Sequence, residues 1–219
     1  KDLHQKTYLD KTWNQKGEIR QVGIIEAMNF RLDASYQLDA NNSIGANFGF
    51  LRNPKQTWNG DMSSSILQDE ELSESSDSHA DFFWQKNNLS SNIYYVGKIG
   101  KLSIDFNTDW LWSKEYQNDV TKEQYQEVGM NAQSQTAHSL TNKDYHLLAS
   151  KLVLSYPLLG GNLSLGGEYS NTHRTSKYQV VPTNLVSDDN SRITESMTSS
   201  FLTYSRDFGN LSLEAGMRY

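Results

Sequence analysis

The chain of 219 residues contains no cysteine and only 3 prolines. Disulfide bonds and cysteine-ligated metals are therefore excluded. It also lacks any apolar run of about 18 residues, which excludes a transmembrane helix. A transmembrane β-barrel stays compatible with the mean hydropathy of −0.70, because only alternate residues of a barrel strand face lipid. No signal peptide is visible in residues 1–20, so an exported protein would be represented here by its mature chain or a fragment.

The net charge of −6 lies in one segment at about residues 68–81, which holds six acidic residues and no lysine or arginine. Outside it, acidic and basic residues balance, so no basic footprint points to nucleic acid as a partner. The stretch Ser73–Asp81 combines serine with acids and has few apolar side chains. Such a composition predicts a mobile acidic loop tip.

Strict alternation of apolar and polar residues is the main structural signal. It is clearest at Leu102–Trp112, where even-numbered positions are mostly apolar and odd-numbered ones mostly polar. The same period recurs in four predicted hairpins with tight turns near residues 40, 99, 160 and 208. Aromatic residues make up 11% of the chain, which favours strands over helices. We predict an all-β chain: an antiparallel meander of about eight long strands, forming one barrel or barrel-fragment region over residues 1–219.

Long polar stretches at Leu51–Gln85, Ser113–Lys143 and Asn171–Arg192 separate these hairpins. Transmembrane barrels have short turns on the periplasmic side and longer connections outside. Because long structureless loops are uncommon, the flanking strands are expected to continue into these stretches, for instance at Gln124–Met130 and Thr175–Val181. The rhythm indicates a segment of a transmembrane β-barrel or a small complete one, although alternating aromatic-rich strands also occur in soluble β-sandwiches.

Aromatic spacing agrees with a membrane wall. From Leu102 to Trp110 a tilted strand rises on the order of 20 Å, close to the apolar band of about 25 Å between two aromatic girdles. We expect the apolar face of this strand, with Trp110 and Trp112, to meet lipid. The polar positions of the strands would then face the lumen, and they include five charged residues: Asp105, Asp109, Glu168, Glu214 and Arg218.

Catalytic and metal-binding signatures are missing from the sequence. The five histidines are scattered, and the acidic segment has no ordered calcium-loop pattern. No Gly-x-Ser-x-Gly elbow and no glycine-rich phosphate loop occur. We therefore predict no enzyme activity, no catalytic, metal or cofactor-binding residues, and no cofactor.

The last residues resemble a known family. The stretch from Ser199 to Tyr219, SSFLTYSRDFGNLSLEAGMRY, resembles the stretch YxxYSxxFGxxSLxAGLRYE of the outer-membrane β-barrel family found in Bacteroidetes, which is similar to TonB-dependent receptors. Ser150–Ser170 and Asn29–Phe50 resemble other hairpins of that family. The resemblance covers about two thirds of the chain and is most specific at its end.

The resemblance implies a barrel segment of an outer-membrane transporter that takes up a large nutrient or metal chelate. Such receptors carry a plug domain and have about 22 strands, and neither a plug nor that many strands is visible here. The implied partners are outer-membrane lipid, an energising TonB protein reached through the absent plug, a surface lipoprotein and an unknown solute. The alternative is a soluble all-β carbohydrate- or ligand-binding module, and a hydrolase on a β-scaffold ranks last.

Overall fold

The computed structural model describes residues 2–8, 11–182 and 186–219. These residues form a single antiparallel sheet in which each strand pairs with its neighbours in sequence. The nine strands are β1 (Asp2–Tyr8), β2 (Lys11–Asp39), β3 (Asn42–Gln68), β4 (Glu71–Ile99), β5 (Leu102–Glu127), β6 (Gln133–Leu158), β7 (Gly161–Val181), β8 (Asp189–Phe208) and β9 (Leu211–Arg218). The eight predicted strands are β2 to β9, and the all-β meander is confirmed. The described residues include no helix able to cross a membrane.

Tight turns at one end of the sheet join β2 to β3, β4 to β5, β6 to β7 and β8 to β9. Gly100, Leu159, Gly160 and Gly209 take positive φ angles there, between 51° and 76°. Two-residue hairpin turns need such angles because their twist must match that of the strands, and glycine adopts them without steric cost. These are the turns expected near residues 40, 99, 160 and 208.

The long polar stretches continue the strands away from these turns. Strands β2 to β6 each hold 26 to 29 residues, which corresponds to a length of roughly 90 Å. Because a barrel's apolar band is only about 25 Å tall, most of each strand projects beyond it. Pairing along the whole ladder satisfies backbone groups that a long irregular loop would leave to water.

The prediction of an acidic loop at about residues 68–81 was wrong for most of that segment. Only Asp69 and Glu70 form a turn, and Glu71 begins β4. Within Ser73–Asp81, Asp77 lies opposite Ser63 and Gln124, and Asp81 lies opposite Asn59 and Val120. These two acids have no like charge directly across from them, but Glu74 lies opposite Glu127, so the ladder forms here despite one like-charge pair.

A β-bulge interrupts β3 at Asn53–Gln56, where three steps along β3 match two along β4. Pro54 lies inside it, which fits a residue that cannot donate to a ladder. The Pro54 carbonyl accepts a hydrogen bond from Gln85 Nε2 at 3.0 Å. An extra residue moves every following side chain of a strand to the opposite face. In β3 the even-numbered side chains therefore change faces above Pro54.

Register brings the apolar positions of eight strands onto one face, here called the outer face. Phe106 lies between Tyr95 of β4 and Leu152 of β6, and Leu165 lies between Leu154 and Leu202. Large apolar side chains stand open there, with Leu32 58% exposed and Leu165 52% exposed. An apolar surface of this extent requires lipid or a partner to cover it.

The opposite, inner face is polar beside the tight turns, where it carries Asn47, Asn92, Asn107 and Ser164. These side chains are only partly exposed, although no second layer of the described chain packs on them. The two faces thus match the predicted lipid and lumen sides of a barrel wall.

Candidate ligand-facing wall

A charged row crosses the inner face of β6, β7, β8 and β9. Arg218 Nη2 donates to Glu168 Oε2 at 2.7 Å, and Lys151 Nζ lies 3.3 Å from Glu168 Oε1. The Ser199 hydroxyl donates to Glu168 Oε2 at 3.4 Å. Lys151, Glu168 and Ser199 are directly paired across their strands, so strand register alone assembles this row.

Beside this row is a depression of about 240 Å³ that reaches Asn107 and Asp109 on β5 and Met197 on β8. Asn92 Nδ2 donates to Asn107 at 2.9 Å and to Asp109 at 2.8 Å, which extends the polar surface to β4. The inner wall near the tight turns thus carries hydrogen-bonding side chains on six strands, β4 to β9.

All five charged residues predicted for the lumen lie on the inner face. Glu168 and Arg218 form an ion pair, and Asp109 bonds Asn92. Asp105 lies opposite Val96 and Val153, and Glu214 lies opposite Ser205. The structure therefore brings two of the five together and distributes the others along the wall.

An aromatic patch occupies the inner face farther from the tight turns, on β3 and β4. Trp58 lies opposite Phe82, and Gln56 lies opposite Trp84. With Gln21 of β2 these side chains line a hollow of about 370 Å³. Trp58 also lies opposite Gly23, and a Cβ added to that glycine would overlap the indole. Because glycine has no side chain, the Trp58 ring can pack against the sheet at Gly23.

Asp119 of β5 adjoins this aromatic patch, directly opposite Phe82. Partial burial raises the pKa of its carboxyl above 3.8, and the hydrogen bond from Gln117 opposes that rise. Gln117 Nε2 donates to Asp119 Oδ2 at 2.5 Å. The carboxylate therefore holds Gln117 at the edge of the patch through Oδ2, whereas its buried Oδ1 has no hydrogen-bond partner among the described residues.

Sequence reasoning missed the aromatic patch because it lies within Leu51–Gln85, a polar stretch whose residues the sequence does not assign to either face. The signal was the alternation Gln56, Trp58, Gly60 and Met62. This alternation resumes after Pro54 with the opposite parity, so it did not line up with the strand before it.

Chemically, the inner face offers stacking surfaces and amide hydrogen-bonding groups. Aromatic rings stack on planar or ring-shaped solutes, and a few polar groups fix the orientation of a ligand in an apolar hollow. Among the described residues, no three histidine, aspartate or glutamate side chains gather in a way that would hold a metal ion. The arrangement is suited to contacting a solute.

An antiparallel wall with an apolar outer face, an aromatic-marked edge and a polar inner face is the architecture of a transmembrane β-barrel. Residues 96–219 match the model of the outer membrane protein beta-barrel family, and the chain belongs to that family. Its place is therefore the outer membrane, and the soluble binding module expected as the alternative is set aside.

Three solved structures show remote similarity to the chain. The chain is 12% identical to BauA, the ferric preacinetobactin receptor of Acinetobacter baumannii, covering 94% of this chain and 30% of that one with a TM-score of 0.39. It is 10% identical to FyuA, the ferric yersiniabactin uptake receptor of Yersinia pestis, covering 91% and 42% with a TM-score of 0.30. It is 9% identical to the siderophore receptor PiuA of Acinetobacter baumannii, covering 94% of this chain and 44% of that one with a TM-score of 0.35.

The chain spans less than half the length of these three receptors. No curated protein matches the chain.

Proposed function

We propose that the chain is a wall segment of a TonB-dependent outer-membrane transporter, of the kind found in Bacteroidetes, that takes up a large nutrient or metal chelate. The observation that carries the proposal is the sorting of faces over eight strands, which leaves an aromatic and polar surface on the side away from lipid. A sheet that served only as an anchor would not need the aromatic patch of Trp58, Phe82 and Trp84.

In this proposal the aromatic patch contacts the solute in the outer part of the lumen, and the charged row at Glu168 contacts a plug or the solute farther down. The TonB protein would act through the plug, and a surface lipoprotein would assist capture. The patch combines stacking rings with the amides of Gln21 and Gln56, so its ligand would present both a flat surface and hydrogen-bonding groups.

Deletion of the full-length gene tests the transport role. The deletion strain, a TonB-deficient strain and the wild type are compared for growth on a panel of oligosaccharides, peptides and ferric chelates too large for general porins. We expect the deletion strain and the TonB-deficient strain to lose growth on the same solute. A deletion strain that grows like the wild type on every member would contradict the proposal.

Neighbouring residues on β4 provide matched variants for the role of the patch. Trp84→Ala removes an inner-face ring, whereas Phe83→Ala removes an outer-face ring that packs edge-on against Tyr116 with centroids 6.3 Å apart. Complementation of the deletion strain should be impaired by Trp84→Ala and preserved by Phe83→Ala at equal amounts of folded protein. Equal uptake by both variants would remove the patch from the solute path.

A further inference from the structure

A row of basic residues lies on the outer face just beyond its aromatic edge. Strand register places Trp112, His146 and His173 in one row across β5, β6 and β7. The next row away from the tight turns contains Arg52, Lys114 and Arg192, and Lys177 lies in the row after that. We call Arg52, Lys114, Lys177 and Arg192 the basic collar.

All four side chains of the basic collar are exposed. None of them forms an ion pair with any described residue. Asp144, which lies opposite Lys114, instead holds His146 Nε2 at 2.9 Å. The four exposed cations thus stand outside the ion pairs of the described residues, which leaves their hydrogen-bond donors open to an external anion.

The collar's height in the wall indicates which anion meets it. Below it the outer face is apolar down to the tight turns, with Trp110, Leu148 and Leu152 among its exposed or lipid-facing residues. The tight turns mark the periplasmic side, and tryptophans mark the interface. The basic collar therefore lies at the level of lipid head groups in the outer leaflet.

Spacing across the strands suits a multivalent anion. Lys177 and Arg192 are diagonal neighbours on β7 and β8, since Lys177 pairs with Asn190 two residues away. Diagonal neighbours are about 7–8 Å apart, and both side chains are long enough to converge on one phosphate. Lys114 lies three strand spacings from Arg192, about 14 Å away, within reach of a second phosphate on the same head group.

Farther from the membrane the outer face carries both signs of charge. Arg20 lies opposite Asp61 and Lys122 lies opposite His79, whose Nδ1 is 2.6 Å from Asp61 Oδ1. Cations and acids are thus interspersed there, whereas no described acid forms an ion pair with a cation of the basic collar. The basic collar is therefore the part of the outer face whose cations are open to an external anion.

We propose that the basic collar binds the phosphate groups of a glycolipid in the outer leaflet, the chemistry presented by lipopolysaccharide. Cations held along the ladder would make charge-assisted hydrogen bonds to those phosphates. The bound lipid would seal the wall where its surface turns from apolar to polar. This role concerns the outer face and is independent of the transported solute.

The test measures lipopolysaccharide binding by the purified full-length protein in neutral detergent, using native mass spectrometry and titration at low salt. The variant Lys114→Gln/Lys177→Gln/Arg192→Gln is compared with Arg174→Gln. Arg174 is exposed on the inner face of β7, beside Thr175. Its substitution therefore removes a cation at the height of the basic collar but on the face away from lipid. We expect the triple variant to bind about tenfold more weakly and Arg174→Gln to bind like the wild type.

Further arms identify the anion and guard against misfolding. Dephosphorylated lipopolysaccharide should bind the wild type no more tightly than the triple variant. Inorganic phosphate at millimolar concentration should not compete with intact lipopolysaccharide. Heat-modifiable gel mobility checks folding, and Lys114→Arg/Lys177→Arg should retain binding because the charges persist. Unchanged binding by the triple variant, equal loss in Arg174→Gln, or full competition by inorganic phosphate would overturn the proposal.

Discussion

Gly166 of β7 lies directly opposite Phe201 of β8 on the inner face, and the tip of the phenyl ring covers the glycine. A Cβ at Gly166 would overlap three ring atoms of Phe201. The same relationship joins two more cross-strand pairs of the inner face, Gly45 with Tyr94 and Gly23 with Trp58. Because each glycine has no side chain, the opposite aromatic ring can lie close to the sheet, and it projects less into the lumen.

Gly166→Ala should therefore destabilise the wall, because the added methyl group must displace Phe201. We expect a loss of about 1–3 kcal/mol, the usual range for overpacking, measured by urea unfolding in lipid vesicles. Gly167→Ala is the matched control. Gly167 faces outward, and its Cβ would lie 3.6 Å from the nearest atom, the Ser199 carbonyl oxygen. That variant should be neutral or slightly stabilising, and equal losses in both would refute the packing argument.

Adjacent residues of β5 test the assignment of the two faces. Phe106 lies on the outer face between Tyr95 and Leu152, and Asp105 lies on the inner face. Phe106→Arg places a charge near the bilayer midplane and should cost about 2–4 kcal/mol, whereas Asp105→Asn should be nearly neutral. Folding titrations in vesicles measure both. If Asp105→Asn proved the more damaging of the two, the faces would have to be exchanged.

His79 of β4 should titrate above its ordinary pKa of 6.5. The hydrogen bond to Asp61 is the largest cause of the raised pKa, and the charges of Asp81 and Asp61 add to it. A histidine with a raised folded pKa stabilises the fold fully below pH 6.5, and that contribution is lost as the pH rises through the folded value. Histidine NMR resonances of the full-length protein measure the titration.

Asp61→Asn should lower the pKa of His79 more than Asp81→Asn does. The reason is distance, since Asp81 Oδ1 lies 3.5 Å from Nε2 whereas Asp61 Oδ1 lies 2.6 Å from Nδ1. The reverse order of effects would show that the Asp61 contact does not persist in solution.

Apolar and polar residues alternate in Leu102–Trp112, so the sequence alone predicts which side chains of this strand share a face. The structure places the segment in β5, as expected. Its partners then follow, because Trp110 and Leu148 pair only if both apolar sets share a side. Two features were out of reach. The bulge at Pro54 reverses the parity of β3, which concealed Trp58, and the pairing of Asp77 with Ser63 depends on strand partners that local composition does not specify.

Asp119, beside the aromatic patch, provides a last test through the pH dependence of stability. Burial is the main reason that its pKa is raised above 3.8. The folded state then binds the proton more tightly than the unfolded state, so stability falls as the pH rises from 3.8 through the folded pKa and is level above it. Asp119→Asn removes this charge and should abolish that fall.

The free energy of unfolding of Asp119→Asn relative to the wild type should therefore increase from acidic to neutral pH and then stay constant. Urea unfolding at a series of pH values measures it, with Asp105→Asn as a control for the loss of an exposed inner-face carboxylate. Asp119→Ala should destabilise at every pH, because Gln117 loses its acceptor. A wild-type advantage over Asp119→Asn that grows with pH would mean that the carboxylate is stabilised by its hydrogen bonds more than it is penalised by burial.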